Sequence, residues 1–145
     1  RYRRGMYTFF KRTAPAPNLM TFDCPDSNTS ITQRNVSNTP LMALTTLQNI
    51  VFHEASQALA RRIEENPALT NNQQRIEHLF KLTLSRLPEP KELDIALGLL
   101  KENLSHYLDH PDQTLELCGE SKPILAAWTA TVRIITNLDE FITCP

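Results

Sequence analysis

The sequence predicts a mainly α fold, a compact bundle of four to five helices with a long N-terminal-side loop over about residues 14–38. Three observations predict it. Apolar residues recur every three or four positions in several separate stretches. No stretch shows sustained alternation flanked by hairpin turns. Only three glycines occur in the whole chain.

Residues 1–13 set Tyr2, Met6, Phe9 and Phe10 at helical spacing, with Gly5 weakening that helix. Ala14-Pro15-Ala16-Pro17 ends it, because proline lacks the amide donor and displaces its predecessor from helical geometry. Residues 14–38 are rich in proline, aspartate and small polar residues. A loop this long is unusual. It is either mobile or pinned by Leu19, Met20 and Phe22 dipping into the core, with a short strand or helical turn near Met20–Phe22 or Ile31–Arg34.

Thr39-Pro40 supplies a capping hydroxyl followed by proline at the first helical position. The helix it starts carries Leu44, Leu47, Val51, Ala55, Leu59 and Ile63 as one buried face. It allows a kink at Gln48-Asn49 and ends near Asn66-Pro67. Asn71 or Asn72 caps the next helix, whose face is Ile76, Leu79, Phe80, Leu84 and Leu87, closed by Pro88. Pro90 opens another, with Glu92 and Asp94 where acids suit the helix dipole. Its stripe is Leu93, Leu97, Leu100, Leu104 and Leu108, and His110-Pro111-Asp112 ends it. Residues 111–122 read as a second loop. From Pro123 the chain turns apolar, with Arg133 the single charge between Ile124 and Ile135, so this helix belongs at the centre, running on past Leu138 towards Phe141 and Ile142.

The 145 residues are 41% hydrophobic, which supports one helical domain over 1–145. Net charge is −1, so no global field points to nucleic acid or an acidic membrane surface. The charge is uneven: residues 1–22 carry +5 and the rest −6. A basic arm with aromatics can hold nucleic acid. The reading preferred here is that the aromatics pack inward, the arginines meet carboxylates of the acidic remainder, and no nucleic acid is bound. No apolar run is long enough for a membrane span. Neither end carries a signal-peptide core or a lipidation motif, and Arg1 reads as a cut within a longer chain.

The motifs of several chemistries are missing. There is no Cys-x-x-Cys-His, Gly-x-Ser-x-Gly, phosphate-cradling glycine loop or His-Glu-x-x-His. Cys24, Cys118 and Cys144 are isolated, and three cysteines make no disulfide framework. His106 and His110 can share a helix face but lack an obvious third metal ligand, so no metal and no cofactor are expected in this segment. Asp139 and Glu140 stand at what reads as the C-terminal end of the last helix, where acids oppose the dipole. The expected compensation is pairing with the N-terminal arginines or Arg34, the alternative a solvated acidic helix end.

Several stretches together resemble one family. They are Arg3-Arg4-Gly5-Met6-Tyr7-Thr8-Phe9-Phe10-Lys11-Arg12-Thr13, Thr21-Phe22-Asp23-Cys24-Pro25-Asp26, Asn38-Thr39-Pro40-Leu41-Met42-Ala43-Leu44, Ser85-Arg86-Leu87-Pro88 and Ala127-Trp128-Thr129, leading to Asn137-Leu138-Asp139-Glu140-Phe141. In this order they are similar to the C-terminal domain of unknown function of large planctomycete and verrucomicrobial proteins, which often also carry a cytochrome-c-like domain. Ser30 and Val36 depart from the pattern, where many members have cysteine and arginine.

The resemblance implies the tail of a larger extracytoplasmic protein, with any haem elsewhere in the parent chain and the upstream domains as partners. It supplies no catalytic residue. Arg34, Asn38 and Thr39 keep its pattern and are read as pinning the long loop to the helix at Thr39-Pro40. With Asp139 and Glu140 they form the set of candidate structural or interaction residues. The expected function is a non-catalytic structural or interaction module. The alternative is part of an active site shared with the upstream domain, in polysaccharide breakdown or redox chemistry, with Asp23, Asp26 and Arg34 lining it from the loop 18–38.

Overall fold

The structure, a computed structural model, describes residues 5–11, 13–25, 28–33 and 36–143. Among these it is helical without strands, as the periodicity requires. The helices are more numerous than four or five: α1 (Pro17–Thr21), α2 (Pro40–Gln48), α3 (Ile50–Glu64), α4 (Asn72–Leu84), α5 (Pro90–Asp109), α6 (Pro111–Cys118), α7 (Pro123–Ile135) and α8 (Asp139–Thr143). A 3₁₀ turn at Gly5–Tyr7 precedes them.

The extra helices come from breaks inside two of the expected ones and from short helices within the two expected loops. Asn49 stands between α2 and α3 with extended backbone. Its amide donates to the Thr45 carbonyl, closing α2, while its side chain accepts from the Val51 amide at 2.9 Å, opening α3. The kink allowed at Gln48-Asn49 is thus a full break. Residues 111–118 are not loop. Pro111 occupies the first turn of α6 rather than only ending α5, since its missing amide is no loss there. The buried face of α6 is Thr114 and Cys118, which a count of large apolar letters does not register.

α7 is the axis of the fold. Leu125, Ala126, Ala127, Trp128, Thr129, Thr131, Val132 and Ile135 are all buried, and α7 packs on α5 and α3, and on α6 and α4. Its buried hydroxyls are satisfied within the helix: Thr129 donates to the Leu125 carbonyl at 2.8 Å and Thr131 to that of Ala127 at 2.9 Å. The core also takes Ala60 and Ile63 from α3, Ile76, Leu79 and Phe80 from α4, and Ala96 and Leu100 from α5.

The face of the expected 39–66 helix is corrected. Ile63 is buried and Leu59 packs on the core as expected, but the other buried positions of α3 are Ser56 and Ala60, and Leu44 and Val51 stand exposed. The break at Asn49 resets the register between the halves, and small residues let α3 approach α7 closely. Leu87 and Leu108, expected on buried stripes, are exposed as well. α4 already ends at Ser85, in left-handed backbone (φ +58°), before Pro88.

The helix expected over 1–13 is also corrected. Beyond the 3₁₀ turn the segment is irregular. Met6, Tyr7 and Phe9 are 71%, 65% and 83% exposed instead of packed inward, and Phe10 is half-buried. A short helix without a buried face does not repay its nucleation. Tyr2, the N-terminal arginines and Arg12 lie outside the described residues.

Among the described residues the long loop holds one short helix, α1, and two of its contacts stand out. The Phe22 ring packs on that of Phe52 in α3, with centroids 5.7 Å apart. Asp23, in left-handed backbone at φ +54°, accepts from both the amide and the hydroxyl of Ser37 at 2.8 Å. Leu19 and Phe22 are half-buried, while Met20 is 39% exposed.

Candidate functional site

The candidate residues fall at three places. Thr39 caps α2, its hydroxyl oxygen accepting from the Met42 amide at 3.3 Å. The neighbouring Asn38 side-chain amide donates to the Asp139 carboxylate at the start of α8. A second tie runs alongside, from the Thr46 hydroxyl to the Asn137 side-chain oxygen at 2.5 Å. α2, from its N-terminal flank to its last turn, is joined to the α7–α8 junction by these contacts. Arg34 and Asp26 lie outside the described residues, so the expected pairing of Asp139 or Glu140 with Arg34 or the N-terminal arginines does too.

Asp139 and Glu140 do not sit at a helix C-terminus. The chain turns at residues 136–138 and restarts, placing both acids in the first turn of α8, where they complement the dipole instead of opposing it.

Glu140 meets Arg86, a residue that sequence reasoning quoted within the resemblance but did not single out. Arg86 Nε donates to Glu140 Oε1 at 2.8 Å and Nη2 to Oε2 at 2.8 Å. The same guanidinium donates to both oxygens of Glu92 at 2.7 Å, and Nη1 reaches the Leu87 carbonyl at 3.1 Å. Glu92 Oε2 in turn accepts from the Glu89 amide at 2.7 Å, closing the start of α5. One cation thus fastens the α4–α5 turn, the head of α5 and the head of α8. The bonds from Arg86, aided by the Glu89 amide, hold the Glu92 carboxyl at about 2, and Arg86 keeps Glu140 below the usual carboxylate range. Arg86–Glu92 is readable from sequence as opposite charges bracketing a Pro-x-Pro turn. Nothing local points to Glu140.

The third place is an open cleft of about 670 Å³. α2 contributes Leu47 and Gln48, α3 His53, α5 Tyr107, α6 Gln113, Glu116 and Leu117, and α7 Arg133. Arg133 Nη2 donates to the Leu47 carbonyl at 2.6 Å, at the end of α2. The Gln57 amide nitrogen donates to the Leu117 carbonyl at 2.7 Å and lies 2.9 Å from His53 Nε2. A carbonyl can only accept, so this assigns Nε2 as acceptor and leaves the imidazole proton on Nδ1. Burial pushes His53 below its ordinary value, the Arg133 charge pushes it further, and the Leu117 carbonyl pulls back. Burial raises the Tyr107 phenol, against the pull of Arg133 and with a further push from Cys118. His53, Tyr107 and the cleft were not anticipated as a site, because the five helices that line it meet only in three dimensions.

Two chemistries considered from sequence take a definite form. His106 and His110 stack at 4.3 Å, but His106 Nε2 is bonded to Gln113 Oε1 and His110 Nδ1 to the His106 carbonyl. Among the described residues, no group of three or more metal-ligating side chains is placed to hold an ion. Cys24 and Cys118 are free thiols. The buried Cys118 thiol lies 3.1 Å from the Thr114 carbonyl and 3.0 Å from that of Glu120, two acceptors it can donate to. Cys144 lies outside the described residues. No described helix is long and apolar enough to cross a membrane.

A family model described as PSD1, protein of unknown function (DUF1553), matches residues 1–100. The chain belongs to the PSD1 family. The matched region takes in the tied loop, the Asn38-Thr39 cap, Arg86 and Glu92. The PSD1 match ends inside α5, so α6, α7 and α8, with Arg133 and Glu140, lie beyond it. No curated protein and no solved structure matches the chain.

Proposed function

We propose that this chain is a non-catalytic structural and interaction module of a larger extracytoplasmic protein, of the cytochrome-c-associated kind its sequence resembles. It docks through its N-terminal apolar face onto the domain preceding it in that protein, and any haem belongs to another domain. The observation that carries this reading is the exposure of Met6, Tyr7 and Phe9 within four residues, more than 60% each. Large apolar side chains clustered in solvent mark a surface that another surface covers. Leu41 and Leu44 of α2, also exposed, add to the apolar character of this half of the chain.

The polar candidates support the same reading. Asp23, Asn38, Asp139 and Glu140 each engage their side chains in contacts between separate segments of this fold, and Thr39 caps its own helix. The rival, an active site shared with the upstream domain, needs Asp23 free to act, whereas its carboxylate is bonded twice to Ser37.

The test begins with the coding DNA upstream of Arg1. A preceding frame with a signal peptide and a Cys-x-x-Cys-His motif is expected. Hydrogen exchange is then compared between the full parent protein and this chain alone. Marked slowing over residues 5–10 in the parent is expected. Equal exchange in both, or a start codon immediately before Arg1, overturns the reading.

A further inference from the structure

Among the described residues, the cleft holds a cation, Arg133, that no carboxylate pairs directly. No described carboxylate comes within ion-pair distance of Arg133, although Arg61 and Lys122 each have one and Arg86 has two. Arg133 spends one Nη2 donor on the Leu47 carbonyl, and its Nε is buried with no acceptor. A half-buried guanidinium in this state has given up water without full replacement, and an anion brought to it is stabilised more than on an open surface.

Most of the remaining polar lining is uncharged at neutral pH, the His53 imidazole, the Tyr107 phenol and the Gln113 and Gln48 amides, with Glu116 the one carboxylate among it. The volume, about 670 Å³, suits a small molecule. We propose that this cleft is a binding site for a small polar monocarboxylate, with Arg133 as its anion partner. Arg133 offers a partner for a single negative charge, and the Glu116 carboxylate, also in the lining, disfavours a dianion. The planar guanidinium matches a planar carboxylate. The site is independent of the docking face, so the two proposals stand or fall separately.

Sodium lactate is the probe, with its neutral amide lactamide and inorganic phosphate as comparisons, followed by amide-resolved NMR titration at constant ionic strength. Lactate is expected to shift the resonances around His53 and Tyr107 saturably and to raise the His53 titration midpoint, since a bound anion favours imidazolium. Arg133→Gln is expected to abolish the shifts. Glu116→Gln, which leaves the Arg133–Leu47 bond in place, is expected to tighten lactate severalfold. Absence of a saturable shift overturns the proposal, as does equal binding of lactamide. So does unchanged affinity in Glu116→Gln together with either unchanged affinity or loss of fold in Arg133→Gln. Phosphate bound as tightly as lactate overturns the choice of a monocarboxylate.

Discussion

At the scale of residues, Arg86 is where charge does most for the fold. It bonds two carboxylates from different helices and lies over the Phe80 ring, 5.6 Å from its centroid. Its side chain is 35% exposed, so solvent screens part of this. Arg86→Gln is expected to lower Tm by about 3–5 °C near neutral pH. The pH dependence has a fixed sign. The Glu92 carboxyl is held at about 2 in the folded chain, below its unfolded value of about 4.3. Its contribution is therefore present above about pH 4.3 and lost as the pH falls towards 2. Thermal melts from pH 7 to 2 are expected to show a steep acid fall in the parent chain. The fall is shallower in Arg86→Gln, where protonation also relieves repulsion between Glu92 and Glu140. Parallel pH profiles would show that this cluster does not govern acid stability.

At the scale of elements, the helices are set by their ends. Thr39, Asn49 and Asn71 each place a side-chain oxygen on an early amide of the helix they begin. α4 and α6 both stop in left-handed backbone, at Ser85 (φ +58°) and Gly119 (φ +71°). Only glycine adopts that region without a steric cost from Cβ. Ser85→Gly is expected to stabilise the chain by about 0.5–1 kcal/mol, and Gly119→Ala to destabilise it by about 1 kcal/mol. Urea denaturation midpoints measure both. The two shifts should have opposite sign, and a lower midpoint for Ser85→Gly would mean that the serine side chain contributes more than its backbone costs. Asp23 is the instructive contrast: it shares the left-handed geometry but earns it through its bonds to Ser37.

At the scale of the whole molecule, α7 decides stability because the other long helices pack on it. Trp128 is fully buried among them, and its indole nitrogen has no hydrogen-bond partner. Trp128→Ala is expected to cost about 3–5 kcal/mol, a large share of the roughly 5–15 kcal/mol typical of a folded domain. Trp128→Phe, which removes the unpartnered donor along with part of the ring, should cost clearly less. Circular dichroism during urea unfolding ranks the two. Equal losses would mean that shape, not the polar group, governs this position.

The sequence by itself determined the helical class, the centrality of the segment after Pro123, and the starts at Thr39-Pro40, at Asn71 or Asn72, and at Pro90. These are written in local signals: apolar spacing, a capping side chain, a proline at the first turn. It also displayed the pieces of the candidate set, Asn38, Thr39, Asp139 and Glu140, without their geometry. Tertiary structure alone decided the rest. It broke the helix at Asn49 and split α8 from α7. It gave α6 a buried face of threonine and cysteine that hydropathy does not mark. It left Met6, Tyr7 and Phe9 in solvent. It brought Arg86 to Glu140 across 54 residues, and set His53 and Arg133 on the walls of one cleft. The physical reason is common to all of these. A cap or a turn is settled by neighbours in sequence, whereas burial and charge pairing are settled by whichever surface arrives from far along the chain.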